Sequence, residues 1–149
     1  TVVGSEGFEH KKTTKGILSV KHDGKVIIGK DVYIGALNAI SKGFSYRNTI
    51  IGDSTKTDNL VHIAHCVQIG ERCLLPASSM IAGSTTLEDD VWIGPGSSIS
   101  SQLTIGKNGF ISIGSVVTKN VNMNEKVTGN FAIPHRKFLK HIRNITQDD

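Results

Sequence analysis

Between Asp58 and Cys66 the chain reads Asp-Asn-Leu-Val-His-Ile-Ala-His-Cys, its densest run of side chains able to do chemistry. His62 and His65 matter most, because an imidazole changes charge near neutral pH and can take up or release a proton. A lone histidine on a polar face is more often bland than catalytic. Here a carboxylate, Asp58, and an amide, Asn59, stand just upstream. Gly83 lies 18 residues beyond His65, and Gln102 lies further along. Phe44 and Tyr46 are rings in a polar stretch, free to stack on a flat heterocycle, meet a second subunit or anchor a loop. Arg136, Lys137, Lys140 and Arg143 gather basic charge for an anionic ligand or for a solvated helix face. Cys66 and Cys73 form no Cys-x-x-Cys pair and read as reduced, buried apolar residues.

These groups need a scaffold, and a repeat supplies it. Steps of six from Ile51 reach Thr57, Ile63, Ile69, Leu75, Ile81, Leu87, Ile93, Ile99, Ile105, Ile111 and Val117, all aliphatic but one. The next residue is small in most steps, as at Gly52, Ala64, Gly70, Ala82, Gly94, Ser100 and Gly106. A helix cannot hold a strict period of six, and a flat strand alternates every two residues. Short parallel strands joined by tight corners can, since each sixth side chain then points inward at the same place in the cross-section. The composition agrees: 16 Gly, 3 Pro and 5% aromatics leave the core to small aliphatic layers.

Hydrophobic residues at 38% and a net charge of +4 exclude a disordered chain. No apolar run approaches the roughly 18 residues of a membrane span. No interleaving of basic and aromatic residues marks a nucleic-acid surface. No basic-then-apolar leader opens these residues, and the reduced reading of Cys66 and Cys73 makes the cytoplasm the expected compartment.

The step of six also connects Ile28, Ile34 and Ile40, but eleven residues separate Ile40 from Ile51. The break, 41–48, reads as a loop leaving the coil. A second polar stretch, 5–25, follows Val2-Val3-Gly4, which looks like the end of an earlier coil. Residues 17–28 suggest a small excursion turning at Asp23-Gly24. The repeat stops after Val121. From Pro134 the spacing of Phe138, Leu139 and Ile142 predicts a short basic helix that closes the open end of the coils. The expected organisation is a β-helix domain over 1–133, with excursions near 5–25 and 41–48, and a basic helix or tail over 134–149.

The strings GSEGF (4–8), VIIGKDVYIGA (26–36), NTIIGD (48–53), DNLVHIAHCVQIG (58–70) and IAGST (81–85) carry a family resemblance. From Gly4 to about Arg136 the chain resembles the UDP-3-O-acylglucosamine N-acyltransferases of lipid A biosynthesis and related nucleotide-sugar N-acetyltransferases. The resemblance implies an all-β fold, a left-handed parallel β-helix of hexapeptide repeats, with three hexapeptides to each triangular coil. Eighteen residues then return the chain to the same face, about 4.8 Å further along. The hand comes from the resemblance, because left-handed crossovers are rare in parallel sheets.

The resemblance also implies N-acyl transfer to a nucleotide-linked amino sugar. His65 is then the general base, taking a proton from the acceptor amine as it attacks a thioester. Asp58 is the acidic partner that holds the imidazole and stabilises its charged form, and Asn59 is a neighbouring polar contact. Gly83 offers its N–H to the thioester oxyanion, or is a corner glycine with positive φ. His62, Gln102, Phe44 and Tyr46 fall to the substrate. Arg136, Lys137 and Lys140 fall to the phosphates of coenzyme A or to the acidic surface of a carrier protein. Asp58 and His65 do not stack on one face; in the family's homotrimer, faces of neighbouring subunits meet in a cleft where such residues converge.

The chain departs from the family's pattern. The lipid A enzymes carry a second histidine where Gln102 stands, and glutamine can hydrogen-bond but cannot act as acid or base. His62 stands where the family is expected to have a neutral polar residue, and the family's N-terminal uridine-binding domain has no counterpart in these residues. Gln102 and the lack of that domain favour acetyl-CoA as donor; the alternative is 3-hydroxyacyl transfer from acyl carrier protein to a UDP-glucosamine derivative. No metal is required. Two other classes fit these residues less well. The γ-class carbonic anhydrases share the fold and need three converging histidines, but His10, His22, His135 and His141 lie outside the regular coils. A non-catalytic trimeric module gives no reason to cluster Asp58, Asn59 and His65 on one segment.

Overall fold

In the computed structural model, which describes residues 1–129 and 132–146, three parallel sheets enclose a narrow core. One face stacks Val2–Ser5, Ala39–Ser41, His62–Ile63, Met80–Ile81, Ser98–Ile99 and Val116–Val117. A second stacks Val26–Ile28, Thr49–Ile51, Gln68–Ile69, Thr86–Leu87 and Thr104–Ile105. The third runs from Tyr33–Ile34 through Lys56–Thr57, Leu74–Leu75, Trp92–Ile93 and Phe110–Ile111 to Lys126–Val127. Ile63 pairs with Ile81 and Ile81 with Ile99, so the coil is 18 residues and the register is strict. The β-helix is left-handed.

The core follows the period of six. Ile51, Ile63, Ile81, Ile93, Ile99, Ile105 and Ile111 are all fully buried. Thr57, the non-aliphatic step, is buried as well, and its hydroxyl accepts a 2.8 Å bond from the Asn38 amide. Between steps the chain turns at one residue in the left-handed region. Ser54, Arg72, Asp90 and Asn108 mark the first corner; Leu60, Ser78, Gly96 and Gly114 the second; Cys66, Ser84 and Gln102 the third. For a residue with a Cβ that conformation costs roughly 1–2 kcal/mol. The corners hold it because their N–H groups donate to the neighbouring coil, as Ser84 does to His65 O at 2.9 Å and Gln102 to Gly83 O at 3.0 Å.

Four expectations need correction. Ile28 pairs with Ile51 as the repeat requires but is 41% exposed, because Val26–Ile28 is the edge strand of its sheet. The turn is not at Asp23-Gly24: His10–Thr13 and Gly16–Ser19 form an antiparallel hairpin instead, and 26–28 is coil strand. Gly24 serves close approach, its N–H donating to Gly43 O at 2.9 Å. The repeat does not stop at Val121, since Lys126–Val127 pairs with Phe110–Ile111 at a spacing of 16 rather than 18. A corner two residues short hides that strand from a step of six. Finally, the C-terminal helix forms at His135–Thr146, with Pro134 O accepting from Lys137 and Phe138. It leaves Phe138 and Leu139 exposed rather than burying them over the last coil. Residues 130, 131 and 147–149 of the two expected regions lie outside the described residues. Among the described residues no helix is long and apolar enough to cross a membrane.

The irregularities share one place. Val2 pairs with Ala39, 37 residues on, and Ala39 with His62, 23 on, against 18 in a regular coil. The surplus is spliced in after Val2–Ser5 and after Ala39–Ser41, both times at the third corner. That is the corner which, in the next coil, carries His65.

Candidate active site

The two excursions are fastened to each other above His65. Lys42 N–H donates to Ser5 O at 3.0 Å, Gly24 N–H to Gly43 O at 2.9 Å and Thr49 N–H to Lys25 O at 2.9 Å. Glu6 and Lys42 add an ion pair at 3.0 Å, which holds the Glu6 carboxyl below its usual range. Together they form a roof. Beneath it the His65 side chain is only 13% exposed. The Phe44 ring lies 5.1 Å from the imidazole and the His22 ring 5.7 Å. Arg47 sits over Phe44 and reaches the Ser84 hydroxyl at 3.4 Å.

Two glycines give the imidazole its space. A Cβ on Gly7 would stand 3.0 Å from His65 Cδ2, and a Cβ on Gly83 would stand 2.6 Å from His65 Nε2. Gly83 is not in the left-handed region; that role at this corner belongs to Ser84, with φ 60°. The corner-glycine reading of Gly83 is therefore wrong, and close approach to His65 is what requires a glycine there.

Burial is the main influence on His65 and pushes its pKa below the usual value, because a desolvated site disfavours the cation. Glu9, whose Oε2 is 3.8 Å from His65 Nε2, opposes this; His22, Arg47 and His62 reinforce it. The result is a neutral imidazole at pH 7 whose Nδ1 is buried without a hydrogen-bond partner. Such a ring is ready to accept a proton from a group that enters the pocket.

The structure gathers only part of the expected constellation. Phe44 and Gly83 join His65. His62 lies on the adjoining strand, half-buried and facing outward, between Ala39 and Met80 in the sheet. Gln102 is the exposed corner residue two coils along from Cys66. Tyr46 is 98% exposed and touches nothing of the pocket. Asp58 and Asn59 sit at the second corner, at the other end of His62–Ile63, both exposed. Asp58 Oδ1 accepts from Asn59 N–H at 2.8 Å, and Asn59 Oδ1 accepts from Ala36 N–H at 2.7 Å. Within this chain the carboxylate facing His65 is thus Glu9, not Asp58. Arg136, Lys137 and Lys140 lie on the exposed helix, apart from the histidine corner. Among the described residues no three His, Cys, Asp or Glu gather as metal ligands.

Sequence reasoning missed Glu6, Gly7, Glu9 and His22. Their signal was present: GSEGF stands out as a string, and an insertion after Val2–Ser5 leaves at the same corner as His65. The hairpin that brings Glu9 and His22 back could not be read from a period of six.

Comparisons with known proteins bear on this geometry. A model of the bacterial transferase hexapeptide, six repeats, matches residues 48–83, and one of the hexapeptide repeat of succinyl-transferase matches 66–101. UDP-3-O-acylglucosamine N-acyltransferase of Methylobacterium nodulans is 41% identical over 140 residues, covering 94% of this chain and 40% of the relative. The protein of the same name from Campylobacter lari is 39% identical over 137 residues, covering 91% and 42%. The chain therefore spans about two fifths of the length of the curated relatives it matches. Among solved structures, Arabidopsis UDP-N-acetylglucosamine acyltransferase superposes with a TM-score of 0.76 at 25% identity, over 94% of this chain and 48% of that one. LpxA from Acinetobacter baumannii superposes with a TM-score of 0.76 at 21% identity, over 97% and 54%, a likeness of fold.

Proposed function

The chain being a hexapeptide-repeat left-handed β-helix similar to UDP-3-O-acylglucosamine N-acyltransferases, we propose that it carries the catalytic part of an N-acyltransferase acting on a nucleotide-linked amino sugar. The observation that carries this reading is His65: a dry, neutral imidazole held between Gly7 and Gly83 under a roof built from two insertions. An inert spacer has no use for such a pocket. His65 removes a proton from the acceptor amine as its nitrogen attacks the thioester carbonyl. The N–C bond forms, the C–S bond breaks, and the proton held by the imidazole goes to the departing thiolate. The Gly83 N–H faces the oxyanion that develops on the carbonyl. The names of the relatives support UDP-3-O-acylglucosamine as acceptor, and the donor is an acyl thioester, acetyl-CoA or 3-hydroxyacyl carrier protein.

Asp58 completes the site from a second subunit in this reading. It borders a groove of about 280 Å³ lined with Tyr33, Leu74, Pro76 and Trp92, an apolar surface suited to a neighbouring copy in a homotrimer. Arg136, Lys137 and Lys140 receive the donor's phosphates or carrier, and the reaction runs in the cytoplasm. The test is thiol release from acetyl-CoA and from 3-hydroxyacyl carrier protein, with UDP-3-O-acylglucosamine as acceptor. Release with one donor that disappears in His65→Ala is the expected result. Full activity of His65→Ala refutes the assignment of the base.

A further inference from the structure

His22 is the most deeply buried ionisable side chain in this corner, with its side chain 1% exposed, and the mechanism above gives it no task. Its Nδ1 lies 3.0 Å from Glu6 Oε2 and 3.0 Å from the carbonyl oxygen of Val20. Both neighbours are acceptors, so Nδ1 carries the proton. In the neutral ring Nε2 is then left as an acceptor. That Nε2 is buried and has no hydrogen-bond partner. Folded proteins rarely leave such an atom unpaired, so its partner has to be sought among groups that enter the site.

Gly7 ties that nitrogen to the proposed base. A Cβ there would be 2.8 Å from His22 Nε2 and 3.0 Å from His65 Cδ2, too close for any side chain, so only a glycine lets the backbone pass along both rings. The orphan nitrogen and the proposed base therefore stand side by side, their ring centroids 5.7 Å apart. Lys42 fixes Glu6 from the second excursion, Glu6 fixes the His22 tautomer in the first, and the Phe44 ring packs edge-on at 5.1 Å. The arrangement holds His22 rigidly, with one nitrogen reserved.

We propose that His22 is a second substrate-contacting imidazole, whose Nε2 accepts a hydrogen bond from an N–H or O–H of the acceptor sugar beside the group that His65 deprotonates. This rests on the reading of His65 as the base of an N-acyltransferase. The two roof insertions thus build the acceptor subsite, and Glu6 acts as a positioning residue through His22.

Two substitutions separate contact from scaffolding. His22→Asn keeps an amide N–H near the place of Nδ1, facing Glu6 and Val20, and removes Nε2. His22→Gln places an amide near Nε2 and gives up the Nδ1 anchor. With UDP-3-O-acylglucosamine as acceptor, His22→Asn is expected to raise KM for the acceptor about 5–10-fold, the loss of one hydrogen bond. KM for the acyl donor should stay unchanged, and His22→Gln should recover most of the affinity. The reverse order, Asn near wild type and Gln defective, overturns the proposal, as does an unchanged KM in both. A measurement on the unmodified protein guards against misfolding of the variants: the nitrogen resonance of His22 Nε2 should shift when UDP-3-O-acylglucosamine is added, and no shift overturns the proposal. His65→Ala measured alongside tests the parent reading separately. Full activity there removes the base, whereas an inactive His65→Ala together with an unaltered His22→Asn removes only this inference.

Discussion

Gly83→Ala tests the site with the smallest possible perturbation. It adds one carbon and changes no charge. Gly83 has no positive φ, so the backbone accepts alanine without strain. All of the effect has to come from the new Cβ, which would lie 2.3 Å from His65 Cε1 and 2.6 Å from Nε2. An ordinary contact begins near 3.4 Å, so the ring has to retreat by about 1.1 Å. Its escape is blocked by Gly7, where the backbone already approaches the opposite edge, and by Phe44 at 5.1 Å. Overpacking of this kind costs about 1–3 kcal/mol, which a β-helix with this many in-register layers should survive. A misplacement of about 1 Å costs a catalytic group up to about 10²-fold in rate. The expected result is a folded protein, by far-ultraviolet circular dichroism and a melt, with kcat for thiol release down about 10–10²-fold. Wild-type kcat in a folded Gly83→Ala protein would refute the claim that this glycine exists to seat His65. A protein that fails to fold would refute the claim that the strain is local.

Other outcomes follow from the same structure. Ile93 is fully buried, so Ile93→Asp should lower stability by more than about 4 kcal/mol and abolish the cooperative melt, because an unpaired carboxylate has no partner in that layer. His65 carries a native pKa below its unfolded value near 6.5. The unfolded chain therefore binds the extra proton first, and the contribution of His65 to stability, complete above that value, should fade as the pH drops through it and level off beneath the native pKa. Denaturant midpoints of wild type and His65→Gln should converge at low pH; parallel curves would contradict this. The rate should rise with pH on the same low ionisation, shaped by Glu9, His22, Arg47 and His62 around the ring, and that limb should vanish in His65→Ala. Cys73 is fully buried and its thiol is pushed up to about 11 by burial, so iodoacetamide at pH 8 should label it only after unfolding. Rapid labelling of the native protein would show the layer to be open.

The fold was legible in the sequence because every regular coil places its residues in the same surroundings. Ile63, Ile81 and Ile99 occupy equivalent places and are read by counting alone. Even the corner chemistry repeats, since each regular corner needs one residue in the left-handed region and an N–H that donates to the preceding coil, as at Arg72, Ser84 and Gln102. His65 was legible for a related reason: Asp58-Asn59 and the Ile-Ala-His string sit on coil residues whose positions the period defines. What surrounds His65 was not. Glu6, Gly7, Glu9 and His22 come from an insertion that obeys no period, and Phe44 and Arg47 from another. Their approach to a histidine some 20 to 60 residues later depends on backbone bonds such as Gly24 to Gly43 and on the Glu6–Lys42 pair. Such contacts leave no regular spacing in the chain. The repeat determined where the corner lies; tertiary packing of the two insertions over that corner decided that it is dry, that its imidazole is neutral, and which carboxylate faces it.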